Sequence, residues 1–261
     1  MRMSWTRAKA IERVKQYNKK GFACSLSLLP ILKYSKKEAR IDVEEYRALL
    51  NDISAHNLDA DVTVKVIQFN ASAEKNVAGE CLRTILNDAA QKNIRVWFDQ
   101  DIARHITDVL AIIKTYQPEH VGACVQAYHT RTCTDVSELS GYPIRLVKGF
   151  YNDYDITPWS RVGDSYATLM ERVAKLSPYP CFGTHDRRLV EKAKEILRDR
   201  EGEVQFFAGI QDGLAEELVQ EGYRVRIYVP YGNIASFLLH NLGVCDMPRA
   251  IQRILHLPTI Y

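Results

Sequence analysis

Three short segments concentrate the side chains that could do chemistry. Arg145-Leu146-Val147-Lys148-Gly149-Phe150-Tyr151 sets two cations three residues apart and follows them with a glycine. On an extended strand such cations point to opposite faces, so one of them turns at the strand end or lies on the exterior. Glycine lets the backbone come close to a ligand. A cationic pair of this kind suits a phosphate or an electron-rich ring; the plainer alternative is that one cation neutralises a carboxylate. Phe182-Gly183-Thr184-His185-Asp186 offers a hydroxyl, an imidazole and a carboxylate placed to cap a following helix. A helix start at a strand end also attracts anions, whereas a cap with a packed histidine needs no ligand. Tyr228-Val229-Pro230-Tyr231-Gly232 carries a phenol into a Pro/Gly-shaped turn, either as a site residue or as a rim aromatic. Gln68, Asn70, Asp99, Asp101 and Gln126 also stand where apolar runs stop.

Metal chemistry has no such support. His105, His120 and His129 stand singly and read as surface or helix residues. The six cysteines form no C-x-x-C pair and have no zinc-finger spacing. Cys24, Cys124 and Cys181 lie in apolar runs and read as buried thiols of a reducing compartment.

The segments that must position these residues alternate regularly. Short apolar runs at 22–28, 62–68, 94–99, 121–126, 144–147, 180–184, 203–207 and 224–228 read as eight strands. Amphipathic stretches at 43–56, 77–92, 102–116, 166–176, 187–200, 213–221 and 234–242 read as helices; the first carries Tyr46, Leu49, Leu50 and Ile53 at i, i+3, i+4, i+7. Eight units of roughly 30 residues predict a closed (β/α)8 barrel, with an open doubly wound sheet as the alternative. Residues 1–20 read as a leading helix, 21–242 as the barrel and 243–261 as a helical extension, all one domain. In a barrel, function sits at the C-terminal ends of the strands.

Composition narrows the classes further. The 261 residues are 46% apolar and 26% charged, with a net charge of +3, which gives no bulk attraction for nucleic acid or membrane surfaces. No apolar run reaches the ~18 residues of a membrane span, and no secretory signal stands at the start, so the expected compartment is the cytoplasm.

The same segments resemble the proline dehydrogenase family. Arg145–Tyr151 is similar to its R-L-V-K-G-A-Y, Phe182–Asp186 to its A-T/S-H-N and Tyr228–Gly232 to its Y-V-P-Y-G. Val125-Gln126-Ala127-Tyr128 resembles Q-A-Y, and Val96-Trp97-Phe98-Asp99-Gln100-Asp101 the aspartate motif of the third strand. Phe206-Phe207-Ala208-Gly209-Ile210 stands where the family ends its seventh strand, so six motifs fall in family order. The resemblance implies a barrel that binds FAD non-covalently and passes hydride from a pyrrolidine carbon to flavin N5, giving an imine. It places Arg145 near flavin N5 and Gln126 at the ring edge. Lys148, Gly149, Thr184, His185 and Asp186 fall beside the rest of the cofactor. Asp99 and Tyr228 fall on the substrate side, with Gln68, His240 and Asn241 around the substrate, and an electron acceptor of unspecified kind completes the cycle.

Three departures bear on substrate. The family's arginine pair, which clamps the proline carboxylate, is replaced by His240-Asn241 if the helix is one or two residues shorter. The lysine of its K-L-S motif is replaced by Gln68, with Lys65 deeper in the strand, and the asparagine after histidine is Asp186. A neutral pair cannot make bidentate guanidinium–carboxylate bonds. The expected substrate is therefore a proline-like cyclic amine with no free carboxylate, or with one masked as amide or thioester. Other readings are ordinary proline oxidation with the carboxylate on Arg104 or Arg249, a non-catalytic barrel, and Schiff-base catalysis by Lys148.

Overall fold

The eight apolar runs form strands that close on themselves. A computed structural model describes residues 4–29, 36–70, 75–100, 103–149 and 153–233. A two-residue strand β1 (Ser4–Trp5) and helix α1 (Arg7–Lys19) precede the barrel. The barrel strands are β2 (Ala23–Leu29), β3 (Ala60–Lys65), β4 (Val96–Asp99), β5 (Val121–Gln126), β6 (Ile144–Val147), β7 (Pro180–Gly183), β8 (Glu203–Phe207) and β9 (Val225–Asn233). Each pairs in parallel with the next, and β9 pairs with both β8 and β2, which closes the (β/α)8 barrel. The β2–β9 seam runs from Ala23↔Arg226 to Leu29↔Gly232, and β1 adds antiparallel to the far end of β9.

The helices are α2 (Lys36–Ala55), α3 (Ile67–Asn70), α4 (Lys75–Gln91), α5 (Ile106–Ile113), α6 (Thr132–Glu138), α7 (Val162–Leu176), α8 (Arg187–Leu197) and α9 (Asp212–Gln220). Their apolar stripes face the strands. Tyr46, Leu49, Leu50 and Ile53 of α2 are all buried, as the spacing predicts. α1 buries Ala10, Ile11 and Val14 and packs on β2 and β9, covering the seam between last and first barrel strands from the N-terminal side. No helix among the described residues is long and apolar enough to cross a membrane.

The sequence reading differs at several edges. The second barrel strand ends at Lys65 rather than at Gln68, because Ile67–Asn70 turns into α3. Helix 102–116 splits into a 3-10 turn over Ala103–His105 and the shorter α5. α6 went unforeseen because its sequence, Thr-Cys-Thr-Asp-Val-Ser-Glu, has little apolar periodicity; it is held by buried Asp135, which accepts from Arg131 Nε at 3.0 Å. The expected segments 234–242 and 243–261 lie outside the described residues.

The outer core is apolar, but the barrel's interior is not. Strand alternation turns Ser25 and Ser27, Asp61, Thr63 and Lys65, Trp97 and Asp99, Gln126, Arg145, Glu203 and Gln205, and Arg226 inward, and all are buried. Buried charges survive only when paired. The interior therefore resolves into ion pairs and hydrogen bonds at successive heights.

Candidate active site

The upper layer of the interior centres on Asp99. Its Oδ2 accepts from Lys65 Nζ at 3.2 Å and from the Tyr228 hydroxyl at 3.1 Å, and its Oδ1 from Arg145 Nη1 at 3.4 Å. Arg145 also donates through Nη1 to Thr63 Oγ1 at 3.2 Å and through Nη2 to Ser25 Oγ at 3.1 Å. Its guanidinium carbon lies 4.5 Å from the Trp97 ring centroid and 5.8 Å from that of Tyr228. Arg145 is the inward member of the pair with Lys148, as the alternation required of one of them.

Burial alone would raise the Asp99 pKa. The charges of Lys65 and Arg145, with hydrogen bonds from Lys65 and Tyr228, hold it below the ordinary carboxylate value instead. Burial works against the Arg145 charge, yet Asp99 first, with Asp61 among its further neighbours, raises its pKa. The Tyr228 phenol is raised by burial and then by Asp99, so it keeps its proton. Two cations thus face one carboxylate, and among the described residues the layer carries a net positive charge.

Lys65 corrects the sequence reading. It is the last residue of β3 and points inward level with Asp99, so it stands at the strand end and not deeper in the strand. Gln68 is not a strand-end residue but lies in α3. Its Oε1 accepts from the Tyr46 hydroxyl at 2.9 Å and the Lys65 amide at 3.2 Å, and its Nε2 donates to the Leu28 carbonyl at 3.3 Å. Gln68 pins the turn that ends β3. The signal that could have found Lys65 was the alternation Asp61, Thr63, Lys65, which is polar inward against apolar Val62 and Val64.

A second cluster lies at the rim. Lys148, one residue past β6, pairs with Asp186 Oδ2 at 3.0 Å. Asp186 caps α8 by accepting the Arg188 amide at 3.1 Å, and its own amide donates to Thr184 Oγ1 at 3.2 Å. These side chains occupy two of the amides that an anion would have used at this helix start. The Asp186 pKa is pushed up by burial but brought below its ordinary value by Lys148 and the Arg188 amide. His185 Nε2 accepts the Phe207 amide at 3.0 Å, and its ring stacks on Phe207, tying the end of β7 to β8. Gly149 has φ +127, and a Cβ there would lie 1.7 Å from the Tyr128 ring. The close approach its glycine permits is to Tyr128 rather than to open space. Gln126 is buried at the end of β5.

The remaining expectations fall as follows. His129 is buried under the segment after β6 and is not a surface residue; burial lowers its pKa against the pull of Asp153 and Asp155. Cys24, Cys124 and Cys181 are buried as expected, while Cys133 is exposed. Arg104 is exposed and donates to His105 Nε2 at 3.1 Å. Asp101, Arg249, His240 and Asn241 lie outside the described residues, as does the side chain of Asn70.

Beneath Arg145 lies a third cluster that sequence reading missed altogether. Arg226 pairs with Glu203 at 2.6 Å and with Asp61 at 3.0 Å, and donates to the Cys24 carbonyl at 2.7 Å. Asp61 accepts the Trp97 indole N–H at 2.7 Å. Burial raises the Asp61 pKa more than Arg226 and Arg145 lower it. Glu203 would be raised by burial too, but Arg226 brings it below its ordinary value.

Known proteins bear on this arrangement. A family model described as proline dehydrogenase matches residues 10–240. Proline dehydrogenase 1 of Bacillus subtilis subsp. natto is 29% identical over 235 residues, covering 85% of this chain and 78% of that protein. Proline dehydrogenase of Deinococcus radiodurans is 27% identical over 242 residues, covering 85% and 77%. Among solved structures, proline utilization A from Bdellovibrio bacteriovorus superposes with a TM-score of 0.81 at 18% identity, covering 96% of this chain. This chain spans 32% of that larger one, and the likeness is one of fold. With most of its length matched, the chain belongs to the proline dehydrogenase family, whose members are FAD-dependent oxidoreductases acting on CH–NH groups.

Proposed function

We propose that this chain oxidises the ring CH–NH bond of proline to an imine. The observation that carries the reading is the layer of Lys65, Asp99, Arg145 and Tyr228, which sets two fixed cations and a phenol ring at the mouth of a closed barrel. FAD, when bound, supplies the hydride acceptor. The residues present fit it: Arg145 Nε is buried with no partner among the described residues, and Gln126 and Lys148 stand at neighbouring strand ends. Arg145 would face the electron-rich ring system, and Lys148, with Thr184, His185 and Gly149 around it, would border the rest of the cofactor. Lys65 is placed to favour an anionic group on the substrate. Asp99 keeps both cations in position. Tyr228 keeps its proton and gives its hydroxyl to Asp99, so it offers the substrate a ring face rather than a base. The amine must therefore lose its proton to another acceptor.

A second reading is favoured by one observation, His240-Asn241 in place of the family's arginine pair. Such a pair cannot make the bidentate guanidinium–carboxylate bonds, and a prolyl group masked as an amide or thioester would suit it. With Lys65 in place, only the arginine pair now argues for masking. The test is anaerobic addition of L-proline, and separately of L-prolinamide, to the FAD-loaded protein while the flavin band is followed. Bleaching by proline is the expected result. Bleaching by prolinamide alone selects the masked substrate, and a flavin left oxidised by both overturns the oxidation of proline-type amines.

A further inference from the structure

Trp97 is fully buried beneath Arg145 and has no part in the chemistry proposed above. It alternates with Asp99 on β4, so both point into the barrel. Its indole fills a slot left open by the neighbouring strand. Gly122 pairs with Trp97 in register, and a Cβ on Gly122 would lie 2.5 Å from the ring. The lower edge of the ring is anchored, since its N–H donates to Asp61 and Asp61 is paired with Arg226. The upper face carries the Arg145 guanidinium at 4.5 Å.

The hydrogen bonds of Arg145 to Asp99, Thr63 and Ser25 run through its two terminal nitrogens and fix where they lie. The tilt of the guanidinium plane is set by what it stacks on. We propose that Trp97, anchored by Asp61 and admitted by Gly122, is a positioning residue that fixes the orientation of Arg145 for the reaction. The proposal rests on the reading of Arg145 as a site residue. The indole lies between the Asp61–Arg226 pair and the site, beside the Ser25 hydroxyl that Arg145 also uses.

The test is a double-mutant cycle on the FAD-loaded protein. Trp97→Phe keeps a ring face but removes the N–H anchor, and Trp97→Leu removes both. Gly122→Ala displaces the ring from the opposite strand, so it repeats the perturbation without altering Trp97. The limiting rate of flavin reduction by proline should fall about 10-fold in Trp97→Phe, equivalent to about 1.4 kcal/mol, and further in Trp97→Leu, with Gly122→Ala moving the same way. In an Arg145→Lys background the fall from Trp97→Phe should shrink to less than about 2-fold. Equal falls in both backgrounds overturn the proposal, because they make Trp97 a structural residue that acts independently of Arg145.

The same cycle read by urea unfolding needs no flavin. The penalty of Trp97→Phe in the folding equilibrium should be at least about 5-fold smaller when Arg145 is lysine, and an unchanged penalty overturns the proposal. If neither proline nor prolinamide reduces the flavin but the unfolding cycle shows coupling, the proposed function fails while the Trp97–Arg145 contact stands.

Discussion

Asp99 accepts from donors on three strands, Lys65 of β3, Arg145 of β6 and Tyr228 of β9, so a single carboxylate ties three arcs of the barrel wall together. Removing it leaves two cations buried without their shared counter-ion. Asp99→Ala should cost about 3–5 kcal/mol of stability, the range for breaking a buried ion pair from one side, and Asp99→Asn less, because its amide oxygen still accepts. Urea unfolding at neutral pH checks the order. The pH dependence follows from the depressed Asp99 pKa. A carboxylate whose folded pKa lies below its unfolded value of about 3.9 contributes fully above that value, and its contribution is lost as pH falls through the folded one. The urea midpoint of the wild-type chain should therefore drop on acidification below about pH 4, and drop less in Asp99→Asn. At this scale the inward placement of Asp99, Arg145 and Tyr228 was legible, because it is set by alternation in short strands. They disagree on Gln68 and Lys65, because the end of a strand depends on the turn that follows, and the Gln68–Tyr46 bond that builds that turn spans 22 residues of sequence.

The elements that carry the rim are held by contacts no periodicity reveals. Gly149 must adopt positive φ and also leave room for the Tyr128 ring, which is fixed in turn by its hydroxyl's 3.0 Å bond to Asp153 Oδ1. Gly141 has φ +89 but open space where a Cβ would stand. Gly141→Ala should cost only the backbone penalty of about 1–2 kcal/mol. Gly149→Ala should cost that and the displacement of a buried tyrosine, so its melting temperature should fall clearly further. Equal losses would mean that the Tyr128 ring gives way freely. Helices with a strong apolar stripe, such as α2 and α8, were legible from sequence because burial of one face is what stabilises them. α3 and α6 were not, since both are short and are held by side-chain bonds to distant backbone: Thr132 Oγ1 donates to the Gln126 carbonyl at 2.5 Å, and Gln68 Nε2 to that of Leu28.

Over the whole molecule, charge is stacked inside the barrel in two layers, with Trp97 and Ser25 between them. The lower one is built from Asp61, Glu203 and Arg226, and Arg226 is shared by both acids. Arg226→Met should therefore strip Asp61 of its nearest cation, leave Glu203 with Arg224 at 3.6 Å, Gln205 and Tyr179, and cost about 3–5 kcal/mol. Guanidinium denaturation of the variant beside Glu203→Gln, in which Asp61 still holds Arg226, should rank the arginine loss well ahead. This layer was invisible in sequence because Asp61, Glu203 and Arg226 sit at strand starts, where polar residues ordinarily face solvent. Closure itself was legible, because eight strands alternating with helices leave few other arrangements.

One feature of that closure reaches beyond the barrel. The seam between β9 and β2 is roofed by α1, which enters before the first barrel strand. In a barrel that winds in simple alternation, the helix after the last strand covers that seam and is bound to keep an apolar stripe for it. Here the debt is discharged in advance. A substitution at Ala10, Ile11 or Val14, which α1 buries against the barrel, would therefore loosen the junction of the first and last barrel strands, although none of these residues belongs to the site.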